Sequence, residues 1–167
     1  MRAEFTLDYD VLTVEQPQKL YLMARFESGQ APDASRRRPL NLSLVIDRSG
    51  SMAGTKIDYT RQASQFLVQH LGQQDTLSIV LYNDKVETLL HPTNISNKDR
   101  VTQLLESIKV RGTTNLSGGW LEGCAHVTTG MSPDTLNREI LMSDGLANRG
   151  VTDAKQLVGL AQKKYES

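Results

Sequence analysis

The sequence predicts an α/β domain built on a doubly wound, mostly parallel sheet and preceded by an N-terminal β-hairpin. Apolar runs at Leu42 to Ile46, Leu77 to Tyr82 and Glu139 to Met142 read as strands buried within a sheet. Segments with helical spacing of apolar residues separate them, and that alternation calls for right-handed crossovers with helices on both faces. The 167 residues suit one core of this kind, not two.

In order, Phe5, Leu7 and Tyr9 alternate with polar residues, and a second run, Leu20 to Phe26, follows Gln16-Pro17-Gln18. These give an antiparallel strand pair beside the main sheet. Residues 29–39, rich in turn formers, form a linker, so that 1–38 holds the strand pair and 39–167 the main domain. Arg36, Arg37 and Arg38 read as a solvated loop tip, a local basic contact for a partner or a membrane surface being the alternative. After the first buried strand, Tyr59 to Leu71 predicts a helix facing inward through Ala63, Phe66, Leu67, His70 and Leu71, with Gly72 as its stop. Leu77 to Tyr82 is the next strand, and the Asn83-Asp84 turn leads to a short edge strand, Val86 to Leu90. Asn97 to Lys109 predicts a second helix. The glycine-rich segment 111–119 opens a third, running through Trp120, Leu121, Cys124 and Val127. A loop around Ser132-Pro133-Asp134 precedes the Glu139 to Met142 strand. A last helix starts at about Thr152 or Asp153, with Ala154, Leu157, Val158 and Ala161 inward.

Composition narrows the function classes. Lys plus Arg and Asp plus Glu are each 19, a formal charge of zero, so no global field recruits nucleic acid or an anionic membrane. No stretch reaches the roughly 20 apolar residues needed to span a bilayer, which argues against membrane insertion. The single cysteine, Cys124, excludes an internal disulfide framework. With no apolar leader in the first ten residues, a cytoplasmic setting is the simplest expectation.

The first buried strand stops at Asp47, followed by Ser49, Gly50 and Ser51. Ligands in open α/β sheets sit beyond the carboxyl ends of the strands. Hydroxyls and carboxylates around Asp47, Thr114 and Asp144 all fall on loops at that side. Brought together, Asp47, Ser49, Ser51, Thr114 and Asp144 offer only oxygen, the ligand set of Mg²⁺, Mn²⁺ and Ca²⁺. Alternate residues of D-x-S-x-S can turn to one side of a tight loop while Gly50 lets the backbone bend. Because Mg²⁺ keeps several waters, a site with few direct protein ligands leaves room for an outside carboxylate.

The segments LSLVIDRSGSM, GTTNLSGG and EILMSDGLANRG together resemble the three signature segments of the von Willebrand factor type A (VWA) domain family, of bacterial type, over residues 39–167. The resemblance implies a Rossmann-like fold and a metal-ion-dependent adhesion site (MIDAS), with Asp47, Ser49, Ser51, Thr114 and Asp144 as metal residues. The serines and Thr114 would be direct or switching ligands, and the aspartates would act directly or through water. Thr114 is favoured over Thr113 by aligning Gly112 with the family's G-x-T pattern. The family continues with two further strands beyond the helix ending near Tyr165. This chain is therefore expected to leave Glu139 to Met142 at the sheet edge, open to self-association, as a fragment or with a second chain supplying the edge.

Blander readings compete. Asp47 and Asp144 taken singly are equally well helix caps, and Thr113, Asn115 and Ser117 read as turn and cap residues. His70 reads as a packed side chain, His91 as a turn residue before Pro92, and His126 as a third-helix residue. None pairs at metal-ligand spacing, and Cys124 and His126 cannot face each other on a helix. Gly50 to Lys56 has three residues between its glycines where a phosphate-binding loop needs four. Trp120 reads as helix packing, an exposed anchor for a partner being the alternative. The expected function is a non-enzymatic protein-interaction module whose Mg²⁺, with Mn²⁺ or Ca²⁺ as substitutes, bridges to an Asp or Glu of a protein partner. The alternatives are a metal-dependent phosphohydrolase, which would need a general base that these loops lack, and a scaffold stiffened by a structural metal.

Overall fold

The computed structural model of the chain describes residues 2–7, 22–27, 37–145, 150, 151, 153, 155, 156, 158 and 159. They fall in two units, Met1–Arg37 and Arg38–Ser167. In the first, β1 (Arg2–Leu7) and β2 (Leu22–Glu27) pair antiparallel as a two-stranded sheet of their own, with Phe5 opposite Ala24. The second strand is shifted by one or two residues from the Leu20 to Phe26 run.

The second unit is built on a four-stranded sheet formed by β3 (Leu40–Asp47), β4 (Thr76–Tyr82), β5 (Val86–Asn94) and β6 (Leu136–Met142). Its spatial order is β5-β4-β3-β6; β3 runs parallel to β4 and β6, and β5 is antiparallel to β4. Among the described residues, α1 (Thr55–His70), α2 (Lys98–Glu106) and α3 (Leu116–Thr129) flank it. Leu42, Leu44 and Ile46 of β3 and Leu77, Ile79 and Leu81 of β4 bury themselves against Ile57 and Val68 of α1 and Val101 and Leu105 of α2. Val45, Val80 and Tyr82 point to the other face, toward Leu116 of α3. Burial on both faces is why β3 and β4 are almost uninterruptedly apolar.

α3 approaches this second face through small residues. A Cβ on Gly119 would lie 2.6 Å from Cγ of Tyr82, and one on Gly123 would meet the side chains of Val45 and Glu139. Gly119, part of the glycine-rich segment that opens the helix, and Gly123 are thus a packing surface. Asn115 caps the helix, its side chain accepting from Gly118 N–H at 3.1 Å, as Asn97 accepts from Arg100 N–H at 3.0 Å to start α2.

Several expectations are corrected. α1 begins at Thr55, four residues early, and its buried stripe is Ile57, Ser64 and Val68, continued by Leu71; Ala63, Phe66 and His70 are exposed. Ser64 tolerates burial because its hydroxyl donates back to Thr60 O at 2.6 Å. His70 is therefore not a packed core residue; its ring lies 4.2 Å from that of Phe66 on the solvent side. β5 continues through His91 and Pro92, which are strand residues, not a turn. The ladder shifts register between the Leu77–Thr93 and Ile79–Leu90 pairs, and an irregular edge strand accommodates a proline that has no N–H to donate.

β6 starts earlier than Glu139. Its only strand partner in the described sheet is β3, and Leu136, Ile140 and Leu141 are each more than a third exposed. Of the expected last helix, Lys155, Gln156, Val158 and Gly159 are helical, and Val158 is exposed, not inward. Ala154, Leu157 and Ala161 lie outside the described residues. No helix among the described residues is long and apolar enough to cross a membrane.

Candidate metal site

Strand register assembles the site. Asp47 at the end of β3 is level with Tyr82 at the end of β4, and Ile46 is level with Met142 at the end of β6. The residues that follow, Arg48, Asn83 and Ser143, therefore leave the sheet side by side. Arg48 N–H donates to Tyr82 O and Arg111 N–H to Arg48 O, each at 2.8 Å. Gly50 N–H donates to Gly112 O at 2.9 Å, and Asn115 N–H to Asn83 O at 2.7 Å. These bonds lace the loop carrying Thr114 to the D-x-S-x-S loop and to the end of β4.

Gly112 makes that lacing possible. Its φ is +73°, and a Cβ there would run into the Asp84 carboxylate. Of the two threonines after it, Thr114 is buried and Thr113 exposed.

Asp47 is fully buried, and each carboxylate oxygen accepts a hydrogen bond: Oδ1 from Ser49 N–H at 2.8 Å, Oδ2 from Ser143 Oγ at 3.0 Å. Such a carboxylate is oriented before any ligand arrives. The Ser49 and Ser51 hydroxyls lie 3.1 Å apart where the chain turns through a single 3-10 turn, Gly50–Met52. Asp144 is joined to the same loop through Lys56, whose Nζ donates to Asp144 Oδ2 at 2.8 Å and to Ser51 O at 3.1 Å. Asp47 at the end of β3 and Ser49, Ser51, Thr114 and Asp144 on the loops beyond the strands thus lie at one rim of the sheet.

The structure adds residues that the sequence did not single out. Ser143 precedes Asp144 and holds Asp47, a role legible only once β3 and β6 are known to be neighbours. Tyr82 is buried beside Ser143 and Asp47; burial chiefly raises its phenol pKa, Ser143 opposes this, and the Asp47 and Asp144 charges add to it. Arg48 is buried within the loop and pairs with Glu87 of β5 at 2.6 Å. That pair ties the loop to the antiparallel edge strand.

Among the described residues, no group of three or more His, Cys, Asp or Glu side chains is placed to hold a metal. The set at this rim is of another kind, hydroxyl oxygens with two carboxylates, and it fits a hard cation. Adjacent ligands of an octahedral ion at about 2.1 Å stand about 3.0 Å apart, which is close to the Ser49–Ser51 separation of 3.1 Å.

The sequence model of the von Willebrand factor type A domain matches residues 41–166. Inter-alpha-trypsin inhibitor heavy chain H3 of Mesocricetus auratus is 30% identical over 175 residues, covering 99% of this chain and 20% of that protein. The chain spans a third or less of the length of the curated relatives it matches. Among solved structures, the vWF domain of the type V pilus tip protein Mfa5 of Porphyromonas gingivalis superposes with a TM-score of 0.58 at 23% identity, over 66% of this chain and 39% of that one. Proximal thread matrix protein 1 of the mussel byssus, with a zinc-occupied MIDAS motif, gives a TM-score of 0.61 at 17% identity, over 77% of this chain and 36% of that one. At these identities the likeness shows the fold. With three quarters of its length matched, the chain belongs to the von Willebrand factor type A domain family, whose domains are protein-interaction modules, often metal-dependent.

Proposed function

We propose that the chain is a non-catalytic binding module in which a divalent cation at the rim of the sheet bridges to an acidic side chain of a protein partner. Ser49, Ser51 and Thr114 would hold the ion directly, and Asp47 and Asp144 would act directly or through water. Mg²⁺ is the proposed ion, with Mn²⁺ or Ca²⁺ as substitutes, since the donors are all hard oxygens. The observation that carries this reading is the pair of serine hydroxyls 3.1 Å apart beside a buried, doubly hydrogen-bonded Asp47.

The ion supplies a Lewis-acidic centre that a carboxylate can complete. The chain supplies the orientation: Ser49 N–H and Ser143 Oγ fix the Asp47 carboxylate, and the Gly50–Gly112 bond holds the two loops in register. Loops 47–51, 111–115 and 143–145 contain no histidine or cysteine. They present no imidazole base or thiol nucleophile, and the two carboxylates, Asp47 and Asp144, are assigned to the metal, which favours binding over hydrolysis.

Partner capture from the source cell in Mg²⁺, in EDTA, and with Asp47→Ala and Thr114→Ala tests the reading. Capture is expected in Mg²⁺ alone and from the unaltered chain alone. Equal capture in EDTA would remove the bridging ion from the mechanism.

A further inference from the structure

Lys56 lies in the first turn of α1, where the positive end of the helix dipole makes a cation least welcome. Its position is better explained by what it touches. The ammonium donates to Asp144 Oδ2 at 2.8 Å and to Ser51 O at 3.1 Å, joining two of the loops that define the rim. The Asp144 side chain is only 9% exposed, so this ion pair is shielded on the carboxylate side, whereas Lys56 is half in solvent. An arriving divalent ion would meet an Asp144 already engaged by a tethered positive charge.

We propose that Lys56 sets the metal affinity of the site, its ammonium competing with the divalent cation for Asp144. The proposal rests on the metal reading given above and adds a residue that is not itself a ligand. Two positive groups drawn to one carboxylate repel each other, so a metal must either displace Lys56 or bind beside it, and either route weakens binding. Because Lys56 is partly exposed, salt screens the effect.

Calorimetric titration with Mn²⁺ of the unaltered chain, Lys56→Gln and Lys56→Arg, at low and at high NaCl, tests this, with circular dichroism confirming the fold of each. Lys56→Gln is expected to bind Mn²⁺ about tenfold more tightly at low salt, and the advantage should shrink at high salt. Lys56→Arg, which keeps the charge, should stay near the unaltered chain. Mn²⁺ binding only by Lys56→Gln would be the strongest form of the expected result. If the unaltered chain binds and Lys56→Gln binds equally or more weakly, the competition is overturned while the metal site stands. No binding by any of the three overturns both.

Discussion

Ser143 Oγ donates a 3.0 Å hydrogen bond to Asp47 Oδ2 across the parallel β3–β6 pair, joining residues 96 apart in the chain. With Ser49 N–H on the other oxygen, it leaves the carboxylate no freedom to rotate. Groups that orient metal residues typically cost about tenfold or more in metal affinity when removed. Ser143→Ala should therefore weaken Mn²⁺ binding by about that factor in a calorimetric titration, with the circular dichroism spectrum unchanged. Unchanged affinity would mean that Ser49 alone positions Asp47.

The close seating of α3 on β4 makes Gly119 a sensitive position. An alanine methyl would press on the buried Tyr82 ring, which has no room to retreat. Gly119→Ala should cost about 1–3 kcal/mol of stability by urea denaturation. Gly54→Ala is the comparison: its Cβ would meet nothing within 4 Å, so its cost is backbone strain alone, about 1–3 kcal/mol for φ +78° with ψ −138°, a combination kept almost to glycine.

Asp75, fully buried just before β4, accepts Leu40 N–H at 2.8 Å and Gly72 N–H at 2.6 Å. It fastens the start of β3 to the turn after α1. Since hydrogen bonds to a charged group contribute about 1.5–3 kcal/mol each, Asp75→Ala should lower stability by about 3 kcal/mol. A loss below about 1 kcal/mol in chemical denaturation would show that the two amides find other acceptors.

Glu139 of β6 is pushed up to a pKa of about 7, chiefly by burial, with the Cys124 thiol donating to Oε2 at 3.0 Å in partial opposition. Unfolded, it titrates near 4.5, so between the two values the folded chain carries the extra proton. Stability is thus greatest below about pH 4.5 as far as this group is concerned, and it falls as pH rises toward 7. After discounting for the partial exposure of the group, the loss is about 1 kcal/mol. Glu139→Gln should flatten that part of the profile of melting temperature against pH.

The central strands and the loops of the rim were legible because each depended on local chemistry, whereas the order β5-β4-β3-β6 was not. Continuous apolar runs marked β3 and β4, and hydroxyls and carboxylates at their ends marked the loops. The inward face of α1 was legible only at Leu67 and Leu71, since the buried stripe also contains Ser64 while Phe66 faces solvent, which inverts the hydrophobic signal there. His91 and Pro92 looked like a turn because proline usually ends a strand, and only an edge strand could keep them. Ser143 and Lys56 escaped notice for a different reason. Each acts on an aspartate 88 or more residues away, and local pattern carries no information about that distance.

The level ends of β3, β4 and β6 have a consequence for how such a domain can diversify. Moving β3 by a single residue against its neighbours would swing Asp47 to the opposite side of the sheet and draw Gly50 away from Gly112. Exposed helix positions such as Gln62 and Gln69 carry no such penalty. Lineages descended from this architecture are thus free to rewrite their outer helices, while the phasing of three adjacent strands stays locked to the chemistry at their tips.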